Sequence, residues 1–189
     1  MSIETLLCPA DEAGVARAAA LLRQGEIIAL PTETVYGIAA DARNGSAVQK
    51  IFAAKGRPQD NPLIVHIDDI NMLPGLVSEF PERAQLLAAA FWPGPLTIIM
   101  PRGPEVADEC CAGLDTVGIR MPSHPVVRQV IEASGCAFAA PSANLSGKPS
   151  PTTAQDVWTD MQGRLPLILD GGPCAVGVES TVVSVAGEK

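Results

Sequence analysis

Apolar positions along this chain fall into short blocks of two kinds, helix-spaced and strand-like, that take turns from end to end. Asp11 can cap a helix running through VARAAALLRQ and stopping at Gly25. EIIAL (26–30) then reads as a buried strand. Ser46 can cap a second helix, AVQKIFAAK, with Gly56 behind it and Pro58 just beyond. PLIVHI (62–67) reads as a strand, Pro81 opens a helix through Phe91, and PLTIIM (95–100) and TVGIRM (116–121) read as strands. Ser123 and Pro125 open a helix ended by Gly135. CAFAA (136–140), the helix TAQDVWTDM, PLILD (166–170) and STVVSV (180–185) complete the series. Alternating elements with short connections predict an α/β domain: a single twisted sheet, mixed and largely parallel, with flanking helices. No linker divides the chain, so residues 1–189 read as one domain.

Composition narrows the class. Of 189 residues, 47% are hydrophobic, enough to build a core and too many for a disordered chain. Aromatics are only 4%, so that core must be aliphatic and rich in alanine. No apolar run reaches the roughly 18 residues of a membrane helix. The net charge of −8 argues against a broad nucleic-acid footprint, although Arg43, Lys50, Lys55 and Arg57 cluster in one stretch. The five cysteines include no CxxC, and two histidines allow no zinc pattern. The N-terminus carries three acids and a proline where a secretion signal needs a basic start and an apolar run, so the expected location is cytoplasmic.

The fingerprints GxxxxGK[ST], GxGxxG, GxSxG and HExxH are missing, so any phosphate chemistry must rest on side chains. Five stretches carry the candidate chemistry. LPTETVYGIAADA puts Thr32, Glu33, Thr34 and Tyr36 just after a buried strand, where α/β folds bind ligands. KGRPQDNPLIVHI offers Lys55, Arg57, Asn61 and His66; the two cations could equally serve a helix end. In TVGIRMP, Val117, Ile119 and Met121 point to a core while Thr116, Gly118 and Arg120 share the other face. Thr116 and Arg120 are then roughly 13 Å apart with only a glycine between them. AAPSANLSGKPSPTT sets Ala140, Ser142 and Asn144 on one parity, and GGPCAVGVESTVV leads through a flexible turn to Glu179, Ser180 and Thr181.

The segments PTETVYGIAADA, KGRPQDNPLIVHI, FWPGPLT, TVGIRMPSHP, PSANLSGKPSPT and GVESTVV, in this order, resemble the YrdC/TsaC family of threonylcarbamoyl-AMP synthases. The resemblance spans roughly residues 10 to 185. It implies a YrdC-like fold around a deep, positively lined cavity. It also implies synthesis of threonylcarbamoyl-AMP and pyrophosphate from L-threonine, bicarbonate and ATP, with Mg²⁺ carried by the ATP and no tightly bound cofactor. The resemblance assigns threonine to Thr34, His66, Arg120, Ala140 and Ser180. It assigns ATP to Lys55, Arg57, Asn61, Thr116, Ser142, Asn144 and Ser150. Lys55 and Arg57 are the expected catalytic cations, and no protein metal ligand is expected. Family members continue with a further turn and strand bearing an Arg-Pro-Gly segment, so a chain ending at Lys189 would lack the family's last strand. Expected partners are the proteins that transfer the threonylcarbamoyl group to tRNA; tight tRNA binding and membrane association are not expected. Two other readings remain open at this level: a module for double-stranded or ribosomal RNA, and a carbamoyl-transfer maturation domain.

Overall fold

A computed structural model describes residues 3–187; the expectation about the end of the chain falls outside that range. The strands are β1 (Leu6–Pro9), β2 (Ile28–Leu30), β3 (Gly37–Asp41), β4 (Ile64–His66), β5 (Leu96–Pro101), β6 (Thr116–Arg120), β7 (Phe138–Ala139), β8 (Leu167–Asp170) and β9 (Thr181–Ser184). The α-helices are α1 (Glu12–Arg23), α2 (Gly45–Lys55), α3 (Glu82–Phe91), α4 (Asp108–Cys111), α5 (Pro125–Ser134) and α6 (Ala154–Met161).

One sheet runs in the order β1-β8-β2-β3-β7-β4-β6-β5-β9. It is mixed, as expected, but parallel pairing is less dominant than the alternation of elements implied. The pairs β1–β8, β8–β2, β4–β6 and β5–β9 are parallel, and the other four are antiparallel. One reversal comes from β3, which turns back directly on β2 through the polar loop 31–36 instead of crossing over a helix.

Strand alternation divides the core between the two faces of the sheet. Ala29, Ile38, Ala40, Val65, Ile119 and Ile168 face the larger cluster, with α2 and α6. Ile28, Leu30, Ala39, Leu167 and Leu169 face the smaller one, against Ala18 and Leu22 of α1 and Val127, Val130 and Ile131 of α5. Small residues let the layers come close. At Gly14 an added Cβ would stand 2.1 Å from the Pro9 carbonyl oxygen, so α1 can lie on β1 only with glycine there.

The caps at Asp11 and Gly56 follow the sequence, and α6 has one more. Asp11 accepts from Gly14 N, Gly56 takes the left-handed conformation after α2, and Thr153 with Asp156 forms a capping box on α6. Two differ. Asn44, not Ser46, caps α2 by accepting from Ala47 N, and His124, not Ser123, caps α5 by accepting from Val126 N. In both cases the side chain that reaches the orphan N–H lies outside the position expected. The five cysteines are free, and no helix among the described residues is long and apolar enough to cross a membrane.

Candidate functional site

The loop between β2 and β3 turns its polar side chains inward. Thr32 Oγ1 donates to the Val35 carbonyl (2.7 Å) and accepts from the amides of Thr34 (3.1 Å) and Val35 (3.2 Å). Thr32 and Thr34 also share a hydroxyl–hydroxyl bond of 2.8 Å. Thr34 accepts from Arg120 Nη1 at 3.1 Å. Tyr36, fully buried, fixes the far end of the loop: its hydroxyl donates to the Gly172 carbonyl (2.8 Å), and burial pushes its pKa up.

Arg120 ends β6, and its neighbours across the sheet are polar too. His66 at the end of β4 is its register partner on one side, and Thr97 of β5 on the other. Parity along β6 therefore carries a row of His66, Arg120 and Thr97 on one face, while Val117 and Ile119 enter the core. Arg120 is only 4% exposed. Its Nη2 forms an ion pair with Glu33 Oε1 at 2.6 Å, a contact not aligned as a hydrogen bond. Nε and Nη2 of Arg120 are thus buried without an in-line acceptor. A buried guanidinium is costly unless paired, and Glu33 supplies the opposite charge. His66 places Nδ1 3.2 Å from the Ile64 carbonyl, so Nδ1 carries the hydrogen and Nε2 is the ring's acceptor. Burial, and then the Arg120 charge, pull the His66 pKa down to about 3, which keeps the ring neutral.

A cavity of about 240 Å³ gathers these groups. Thr34, His66, Arg120, Ala140 and Ser180, the five positions expected to hold an amino acid, all line it. Arg57, Asn61 and Ser142, expected on the nucleotide side, line it as well. Arg57 follows the left-handed Gly56 that ends α2; its Nη2 donates to the Asn61 carbonyl at 3.4 Å, while its buried Nε has no partner. Burial lowers its pKa, and the Asp60 charge opposes that. Ser180 is held by Thr97, their hydroxyls 2.9 Å apart.

Four expected positions lie outside this lining. Thr116 opens β6, half-buried, opposite Pro101 at the other end of the strand from Arg120. Ser150 donates to Glu179 Oε1 (2.5 Å), and it is Glu179 that reaches the cavity. That bond holds the Glu179 pKa below the usual carboxylate range. Lys55 is 2% exposed, and its ammonium is spent on carbonyl oxygens of the 142–144 segment rather than turned into the cavity. Asn144 spends its amide group on the carbonyls of Leu145 (2.9 Å) and Lys148 (2.7 Å). Glu33 and Thr97 act here without having been assigned a role from sequence. The register of β6 with its neighbours would have found Thr97; Glu33 was already among the polar residues singled out after β2, and the fold of its loop adds Arg120 as its partner. Among the described residues no group of three His, Cys, Asp or Glu could hold a metal ion.

The chain is similar to known proteins in sequence and in fold. The Sua5/YciO/YrdC family model, described as telomere recombination, matches residues 20–189. The threonylcarbamoyl-AMP synthase of Bacillus subtilis is 57% identical over 175 residues, which is 92% of this chain and 51% of that protein. That of Pyrococcus abyssi is 51% identical over 89% of this chain and 49% of its own length. A crystal structure of P. abyssi Sua5 complexed with L-threonine superposes with a TM-score of 0.92 at 47% identity, covering 99% of this chain and 55% of that one. The chain spans about half the length of these relatives.

Proposed function

The chain belongs to the Sua5/YciO/YrdC family, and on that premise we propose that it makes threonylcarbamoyl-AMP and pyrophosphate from L-threonine, bicarbonate and ATP. The observation that carries this reading is the pair of arginines, Arg57 and Arg120, that line one small cavity. Two anionic groups at two ends of a cavity are what an amino acid and a nucleotide bring.

In this reading Arg120, held by Glu33 at Nη2 and by Thr34 at Nη1, supplies the charge that takes the carboxylate of threonine. His66 Nε2 is an acceptor, so it faces the N–H and O–H groups of the substrate, and the amine keeps its lone pair for carbon dioxide. Ala140 leaves room for the amino acid. The amine attacks carbon dioxide derived from bicarbonate, and loss of one proton leaves an N-carboxy carbamate. Its carboxylate attacks the α-phosphorus of ATP and the P–O bond to pyrophosphate breaks. No covalent enzyme intermediate is needed. The protein contributes positioning, and Arg57 contributes charge at the phosphates. Magnesium enters with ATP as part of the substrate. A cavity of about 240 Å³ is smaller than the usual ligand site, so the outer part of the nucleotide would lie across its mouth, near Glu179 and Ser150.

The product would pass to proteins that transfer the threonylcarbamoyl group to tRNA, in the cytoplasm. Pyrophosphate release with threonine and bicarbonate omitted in turn tests the reading. Release should need both. Release without either, or none with all three present, would remove this assignment and return the RNA-module reading.

A further inference from the structure

Lys55 and Arg57 stand two residues apart in one KGR motif, yet they behave oppositely. Arg57 lines the cavity with a buried Nε that has no partner. Lys55 is the last residue of α2, and its Nζ donates to the carbonyls of Ser142 and Asn144, the latter at 2.7 Å, with Asn144 Oδ1 at 3.5 Å. An ammonium has three donors and no more. Three oxygens of one short segment surround it, and no N–H is left for a phosphate.

The segment is fastened around that nitrogen. Ser146 N donates back to the Lys55 carbonyl at 3.0 Å. Asn144 Nδ2 reaches forward to Leu145 and Lys148, so the chain from 142 to 148 winds about the end of the lysine. From the other side β3 grips the same stretch: Ile38 N donates to the Pro141 carbonyl (2.9 Å), and Ala143 N to the Tyr36 carbonyl (2.8 Å). Ala140, Pro141 and Ser142, caught between these two holds, form one wall of the cavity.

We infer that Lys55 is a positioning residue for the cavity, fixing the Ala140–Ser142 wall, where the amino-acid and nucleotide sides meet, through the carbonyls of Ser142 and Asn144. The role expected from sequence, contact with the phosphates, falls to Arg57 alone. The inference rests on the proposed use of this cavity for threonine, but its structural half does not.

The decisive experiment leaves ATP out. Threonine affinity is measured by calorimetry without nucleotide, and amide hydrogen exchange is followed across 142–148, in wild type, Lys55→Met and Lys55→Gln. Lys55→Met removes every donor. It should bind threonine on the order of tenfold more weakly, since buried carbonyls lose their partners, and its 142–148 amides should exchange faster while β4 and β6 stay protected. Lys55→Gln keeps N–H donors without charge and should recover part of both. Native threonine affinity and native exchange in Lys55→Met, with loss confined to ATP, would overturn the inference. So would a Gln variant no better than Met, because a phosphate contact needs the charge and a strut needs the donors. If Lys55→Met does not fold, Lys55→Gln decides: a protected 142–148 segment without the charge supports the strut, and an unprotected one refutes it. If wild type itself binds no threonine, the proposed function fails, and the exchange data still decide the strut.

Discussion

His66 and Arg120 are register partners at the ends of two adjacent parallel strands, so a neutral imidazole and a buried guanidinium stand side by side on one face of the sheet. Strands lie about 4.8 Å apart, close enough for the guanidinium to oppose any proton on the ring. The result is a site with divided polarity: Arg120 donates, and His66 and Thr34 accept.

That pairing predicts acid sensitivity. The His66 pKa is lowered from about 6.5 when unfolded to about 3 when folded. Between those values the unfolded chain binds the extra proton, so His66 makes stability rise with pH and fall as pH drops through the window. Urea midpoints measured from pH 7 down to about pH 4 should decline in wild type and decline less in His66→Gln. Parallel curves would mean that His66 titrates alike in both states.

Arg120→Lys keeps the charge but loses the fork. Threonine affinity should drop by roughly 10- to 150-fold, the worth of a charge-assisted hydrogen bond, with ATP affinity changed far less. Separate titrations with the two ligands check this. Equal losses for both would put Arg120 on the nucleotide side.

Arg57→Ala should cost about 100-fold or more in turnover, since it removes charge at the transferring phosphates. Arg17→Ala and Arg23→Ala should leave turnover near native: both lie exposed on α1, and Arg23 only donates to the Ala133 carbonyl at 2.6 Å. Steady-state rates of the three folded variants decide it. Near-native turnover in Arg57→Ala would reduce Arg57 to a helix-end cation.

The chain should bind tRNA more weakly than micromolar at physiological salt. Its net charge is −8, and two of its arginines face inward to the cavity rather than outward to a polyanion. A filter-binding titration over a salt series measures it, and tight salt-dependent binding would revive the RNA-module reading.

The sequence carried the parity of β6 plainly: Val117 and Ile119 are core, and Arg120 lies on the other face. It also carried the cavity's main lining, because polar residues after buried strands have few other reasons to be there. It hid β1 and β3. β1 sits at the sheet edge with Leu6 and Leu7 both exposed, so it shows no alternation. β3 (Gly-Ile-Ala-Ala-Asp) is short and buried on both faces, which leaves no periodic signal. Hydrogen-bond bookkeeping was hidden as well. Nothing in KGR says that the lysine's donors are spent and the arginine's are not; that depends on where 142–148 comes to rest.

The most direct test of the proposed chemistry is the product itself. The chain is incubated with ATP, threonine and ¹³C-bicarbonate, and the nucleotide fraction is analysed by mass spectrometry. The account predicts a threonine–AMP adduct that carries the label in a bridging carbonyl, formed with pyrophosphate and formed poorly when valine replaces threonine. An adduct without the label, equal product from valine, or ATP hydrolysis with no adduct would contradict it.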